Sequence, residues 1–176
     1  MNRKIIVGLA GSYHRPSRTQ VLVGNICSRA EQQYGLTTSL HDMADFGASL
    51  GQAMHFQDLD DKAQVLINKI IASDALVIGV PTYQASYPGM FKHLFDLIDP
   101  EALVGKPMIL AATGGSERHA MMVEYQLRPL FKFFRASTVP TAIYVTANDG
   151  EHNPLANRAL LNRVDRAIQE LSLWFG

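Results

Sequence analysis

Between Gly11 and Thr19 the chain reads Gly-Ser-Tyr-His-Arg-Pro-Ser-Arg-Thr, directly after the apolar run Lys4 to Ala10. Ser12, Ser17 and Thr19 offer hydroxyls, and Arg15 and Arg18 offer positive charge. A helix that starts near Arg18 adds unpaired N–H groups and the positive end of its dipole. Such a set of donors binds phosphate, with Arg18 and the helix terminus holding a doubly charged monoester by charge-assisted hydrogen bonds. Ser17-x-x-Gln20 also reads as a capping box, in which Ser17 satisfies a helix N–H and Gln20 reaches back. A capped helix alone is the plainer reading, but it leaves Ser12, Arg15 and Arg18 at one strand end unexplained. Neither standard nucleotide motif occurs: Gly8-Leu-Ala-Gly11-Ser-Tyr departs from G-x-G-x-x-G, and G-x-x-x-x-G-K-[ST] is missing.

Two further segments carry unusual residues. Pro81-Thr-Tyr-Gln-Ala-Ser-Tyr-Pro-Gly-Met90 combines two tyrosines with the short polar side chains of Thr82, Gln84 and Ser86, then Pro88-Gly89 opens a helix over Met90 to Ile98. That mixture suits a flat aromatic ligand with a polar rim, while a surface turn with chance tyrosines is the alternative. In Thr113-Gly-Gly-Ser116 the paired glycines let backbone approach a ring edge. Taken alone, that turn is a weak signal.

These loops need a frame to bring them together. Lys4 to Ala10, Leu36 to His41, Ala75 to Val80, Pro107 to Ala112 and Val139 to Thr146 read as strands. Helical periodicity lies between them, including Ala63, Leu66, Ile67, Ile70 and Ile71 with Asp58 as cap, and Leu161, Val164, Ile168, Leu171 and Phe175 near the end. Met43 to Gln57 reads as a loop or short irregular turns. Near-continuous apolar strands alternating with amphipathic helices predict an α/β fold, a doubly wound five-stranded parallel sheet of order 2-1-3-4-5. In such sheets ligands lie beyond the carboxyl ends of the strands, at the switch between strands one and three. All three loops fall on that rim.

Composition narrows the class. The 176 residues suit one domain spanning 1–176, and 16 basic against 16 acidic residues leave no global field to attract nucleic acid or an anionic membrane. The lone Cys27 shares a helical face with Leu22, Val23, Ile26 and Ala30 and reads as core. His14, His41, His55, His93, His119 and His152 show no metal-ligand spacing, so no metal is expected. Without a signal peptide or a long apolar run, a cytoplasmic protein is expected.

Residues 120–134 carry two apolar lines. Ala120, Val123, Leu127, Leu130 and Phe134 form a core stripe, and Met122, Tyr125, Pro129 and Phe133 form a second. The second line suggests a subunit contact, the alternative being a helix buried on two sides. Pro129 cannot donate to the carbonyl of Tyr125, so the ladder is disturbed there; either a π-bulge at Tyr125 or a break between two helices would accommodate it.

The loop GSxxRPSRT at Gly11 to Thr19, the run PTYQASYPGxFKxLFD at Pro81 to Asp96 and TGGS at Thr113 to Ser116 together resemble the NADPH-dependent FMN reductases of the flavodoxin-like superfamily. The likeness is nearest to FMN reductases that serve two-component alkanesulfonate or methanesulfonate monooxygenases. The resemblance implies a flavodoxin-like three-layer sandwich, FMN and NADPH or NADH as cofactors, and a partner flavin-dependent monooxygenase. It implies that Ser12, Ser17, Arg18 and Thr19 bind the FMN phosphate, and that Pro81, Thr82, Tyr83, Gln84 and Ser86 with Thr113, Gly114, Gly115 and Ser116 surround the ring. Val123-Glu-Tyr-Gln-Leu-Arg-Pro129 is similar to the segment in which those reductases carry a tyrosine π-bulge at a tetramer interface. It implies a homo-oligomer, dimer or tetramer, and a role for Tyr125 in flavin exchange or stacking. A flavoprotein that retains FMN and reduces quinones, azo compounds or metal oxyanions is the competing enzyme. A flavodoxin-type electron carrier is the competing class, disfavoured by zero net charge. A Rossmann dehydrogenase is weaker still: Asp42 stands where an acid would meet a ribose, but the glycine fingerprint is missing.

Overall fold

The computed structural model describes residues 3–149 and 157–176. Its sheet runs β2-β1-β3-β4-β5, all parallel, from strands β1 (Ile5–Ala10), β2 (Thr37–Asp42), β3 (Ala75–Pro81), β4 (Pro107–Gly114) and β5 (Ser137–Thr138). A further strand, β6 (Ile143–Thr146), pairs with β4 beyond β5. The expected fifth strand, Val139 to Thr146, is therefore two pieces. Pro140, which has no N–H to give a ladder, lies in the gap between them.

Both faces of the sheet are apolar because each strand sends alternate residues to opposite sides. Val7, Leu9, Leu76, Ile78, Val80, Leu110 and Ala112 join one core cluster, whereas Ile6, Ala10, Val77, Ile109 and Ala111 join the other. The first face is covered by α2 (Asp61–Ala72), α3 (Gly89–Asp96) and α4 (Arg128–Phe133). Phe91, Phe95 and Phe131 meet there at ring-centroid separations of 4.9–6.5 Å. The second is covered by α1 (Arg18–Tyr34) and α5 (Arg158–Gln169), with Trp174 and Phe175 from α6 (Ser172–Phe175) at its margin. Each fully buried Phe, Leu or Ile contributes about 1.5–3 kcal/mol, so this two-sided burial is a main source of the central strands' stability. Val23 of α1 sits so close over Gly79 that a β-carbon there would collide with it.

The cap of α2 differs from expectation. Asp60, not Asp58, caps α2 by accepting from the Ala63 N–H at 2.9 Å, while Asp58 accepts from the N–H groups of Met54 and His55. Residues 43–58 form three short 3-10 turns. Cys27 is buried, and that burial pushes its thiol up to about 12. No helix among the described residues is long and apolar enough to cross a membrane.

Candidate active site

Register places the carboxyl ends of the strands on one rim. Ala10 lies beside Gly79, Pro81 beside Thr113, and Gly114 beside Thr146, so the segments after β1, β3, β4 and β6 emerge together. The Gly11 N–H donates to the Gly79 carbonyl at 2.7 Å and the Thr82 N–H to the Thr113 carbonyl at 2.7 Å, carrying the ladder just past the strands. Gly11 has no positive φ; what it supplies is closeness, since a β-carbon there would meet Phe91 and Val80 at 2.9 Å.

The loop after β1 is held by its own polar groups. Ser12 and Ser17 share a hydrogen bond at 2.7 Å, and Ser17 caps α1 by accepting from the Gln20 N–H at 3.2 Å. Helix geometry leaves the first-turn N–H groups of Arg18 and Thr19 without intrahelical acceptors. One guanidinium nitrogen of Arg18, Nη2, is buried without a partner among the described residues. A buried, charged donor left unpaired costs free energy, and an anion at this turn would satisfy it.

Three residues behave differently from the sequence expectation. Gln20 does not reach back to complete a capping box; its Nε2 donates to Asp42 Oδ2 at 3.1 Å. Arg15, expected to offer charge to a phosphate, donates through Nε and Nη2 to Asp42 at 2.6 and 2.7 Å and through Nη2 to Asp45 at 2.8 Å. These carboxylates raise the guanidinium's proton affinity, and although burial opposes it, the Asp42 N–H and Arg15 hold Asp45 below the usual carboxylate range. Asp42 is fully buried, so it cannot meet a ribose in the Rossmann manner.

Thr19 is also buried, and its hydroxyl is spent on Thr113 at 2.7 Å. That bond ties the first turn of α1 to the end of β4, leaving the Thr19 backbone N–H as its outward donor. Thr82 lies nearby, its Oγ1 buried and without a partner among the described residues.

After β3 the chain forms a tight hairpin. Tyr83 and Ser86 exchange N–H···O bonds at 2.8 and 3.0 Å, and Gln84 and Ala85 between them have φ of 44° and 65°. Two successive positive-φ residues that are not glycine store strain, of order 1–2 kcal/mol each. Such strain gathers at ligand sites. Pro81 ends β3 half-buried, whereas Tyr83, Gln84 and Ala85 are exposed. In the Gly114-Gly115 pair the roles divide. Gly114 has no room for a β-carbon because Tyr144 lies against it, whereas Gly115 faces open space. Tyr144, which no sequence pattern singles out, donates its hydroxyl to the Ser116 carbonyl at 2.9 Å and so shapes this turn.

Tyr125 stands apart from these loops in sequence, within a π-helical turn over Val123–Leu127 that continues into α4. The Arg128 N–H closes on the Val123 carbonyl five residues back, the expected way around Pro129. Ser86 Oγ lies 3.4 Å from Gln126 Oε1, linking the hairpin to this turn. The outward apolar row is Met121, Tyr125, Pro129 and Phe133; Met122, assigned to it from the sequence, is buried in the core with Val123 and Leu127. Tyr125 and Phe133 are 71% and 66% exposed and flank a groove of about 550 Å³ that Tyr87, Phe95 and Pro129 also line.

The described residues hold no group of three or more His, Cys, Asp or Glu able to bind a metal; His152 lies outside them. The rim therefore offers a cationic, N–H-rich end and a broader end of backbone, hydroxyls and tyrosine.

The chain is similar to known proteins. A family model described as NADPH-dependent FMN reductase matches residues 5–151. NADH-dependent FMN reductase SfnF of Pseudomonas fluorescens is 39% identical over 171 residues, covering 97% of this chain and 91% of that one. FMN reductase (NADPH) of Pseudomonas aeruginosa is 37% identical over 171 residues, covering 97% and 92%. The crystal structure of an oxidoreductase from Corynebacterium diphtheriae superposes with a TM-score of 0.84 at 30% identity, covering 98% of this chain and 97% of that one. With the family match running from β1 past β6 and so through all the rim loops, the chain belongs to the NADPH-dependent FMN reductase family.

Proposed function

We propose that this chain, acting as one flavodoxin-like domain in the cytoplasm, is an NAD(P)H-dependent FMN reductase that supplies reduced FMN to a two-component flavin monooxygenase of sulfonate or other organosulfur utilisation. The single observation that carries the site is the buried Arg18 Nη2 at the first turn of α1, without a partner among the described residues. Together with Ser12, Ser17 and the N–H groups of Arg18 and Thr19, it fits the dianionic phosphate of FMN. Pro81, Thr82, Tyr83, Gln84 and Ser86 would border the ring on one side, and Thr113 to Ser116 on the other, with the Thr82 hydroxyl, which has no partner among the described residues, as a donor or acceptor for the ring's polar edge.

When bound, FMN supplies the redox chemistry, taking up two electrons and a proton from reduced nicotinamide. The protein's task is then orientation: α1 and Arg18 fix the phosphate, and the strained hairpin at Tyr83–Ser86 and the turn held by Tyr144 frame the ring. Tyr125 acts in flavin exchange or stacking, through the hairpin contact between Ser86 and Gln126. A second copy of the chain covers the row Met121, Tyr125, Pro129 and Phe133, giving a dimer or tetramer.

The deciding experiment mixes the purified protein anaerobically with FMN and either NADPH or NADH and follows oxidised-flavin absorbance. Rapid bleaching is expected. No bleaching with either nucleotide overturns the reductase reading, and ping-pong kinetics with retained flavin would replace release to a monooxygenase by reduction of a bound acceptor. In parallel, Phe133→Asp should shift the protein to a smaller species in sedimentation; an unchanged mass would remove that row from the interface.

A further inference from the structure

The carboxyl end of β2 grips the loop after β1 at three places. The Met43 N–H donates to the Ser12 carbonyl at 3.1 Å, and Asp42 takes Arg15 and Gln20, which lie on either side of Ser17 and Arg18. Asp42 also forms a capping box with Asp45 at the turn that follows β2. Oδ2 accepts from Arg15 Nε at 2.6 Å and Gln20 Nε2 at 3.1 Å, and Oδ1 accepts from Arg15 Nη2 at 2.7 Å and the Ala44 N–H at 3.0 Å. The carboxylate is fully buried, while the Arg15 side chain is 51% exposed.

An acid so placed is at odds with simple electrostatics. Beside a site for a dianion, a carboxylate repels the ligand, and Arg15, shared between Asp42 and Asp45, has little positive charge left to lend. Burying an ion pair is also poor value as a source of stability. What the arrangement provides is shape: a bidentate fork from Arg15 and a second hold on Gln20 fix the chain direction through the segment that carries Ser17 and Arg18.

We propose that Asp42 is a positioning residue for the FMN phosphate, clamping Arg15 and Gln20 so that the loop between them is preformed before flavin arrives. The inference rests on the assignment of that loop to the phosphate. Preorganisation of this kind lowers the ordering cost of binding and so acts on affinity rather than on the rate at saturation.

The sign of one substitution separates clamp from charge. Coulomb's law predicts that Asp42→Asn, by removing a negative charge, tightens FMN binding; the clamp predicts weakening by about tenfold, from loss of charge-assisted hydrogen bonds. Riboflavin, which has no phosphate, should change by less than about twofold, and kcat at saturating FMN should hold while KM rises. Arg15→Met should reproduce the FMN-specific loss, and the double variant, which also removes the buried charge that Arg15→Met leaves unpaired, should be no weaker than either single. Tighter FMN binding in Asp42→Asn, an unchanged FMN-to-riboflavin ratio in Arg15→Met, or additive losses in the double variant would each overturn the clamp. If the unsubstituted protein itself fails to prefer FMN to riboflavin, the phosphate assignment falls first and takes the clamp with it.

Discussion

Around Ser12 to Gln20 the polar side chains are tied to one another or to β2, whereas between Thr82 and Ser86 the chain stands exposed and turns through positive φ at Gln84 and Ala85. The first region is a socket built in advance, with a charged donor, Arg18 Nη2, left over among the described residues. The second is a strained bracket held mainly by its own Tyr83–Ser86 exchange. In the proposed reductase, affinity would then reside at the phosphate and adaptability at the ring, a division that suits a flavin meant to leave. The Thr19–Thr113 bond is a buried strut from the first region to the end of β4, where the Thr113 carbonyl takes the Thr82 N–H.

The contrast can be broken most directly at its charged end. Arg18→Ala should weaken FMN binding on the order of 10- to 100-fold, the range for a hydrogen-bonded charge, with riboflavin little affected. Fluorescence titration of both flavins measures it. Equal losses for the two would show that the socket does not read the phosphate.

Next comes the strut. Thr113→Val strands the Thr19 hydroxyl in the core and should cost about 1–3 kcal/mol of unfolding free energy in a urea titration. The Thr19→Val/Thr113→Val pair should recover a large part of that loss, because neither side then leaves an unpaired group. A double variant that loses the sum of both singles would mean the two ends are not joined here.

The smallest effect belongs to the bracket. Ala85→Gly relieves a left-handed backbone but adds freedom to the unfolded chain, for a net gain of about 0.5–1 kcal/mol. Thermal unfolding should show a modest rise in midpoint. A fall would mean that the hairpin stores no strain at Ala85.

Much of this frame was legible from periodicity. The near-continuous apolar runs Lys4 to Ala10 and Ala75 to Val80 announced strands covered on both faces, and the run of strands and helices implied the order that the sheet adopts. The errors have particular causes. Asp58 and Asp60 are both acids before α2, and only the position of the Ala63 N–H selects the second. A regular helical period puts Met122 on the outer row, but the π turn adds a residue and carries the row back to Met121. Tyr144 gave no sign of its role because its partner is a backbone carbonyl 28 positions away.

From the amino-acid order alone came the layers, the rim and the loops that share it, since hydrophobic period and turn chemistry act over a few residues and act everywhere alike. Which side chains meet across that rim was settled only by the folded chain. Arg15 finds Asp42 and Thr19 finds Thr113 because parallel register brings distant strand ends together, and a local pattern carries no record of which distant residue will occupy the same space.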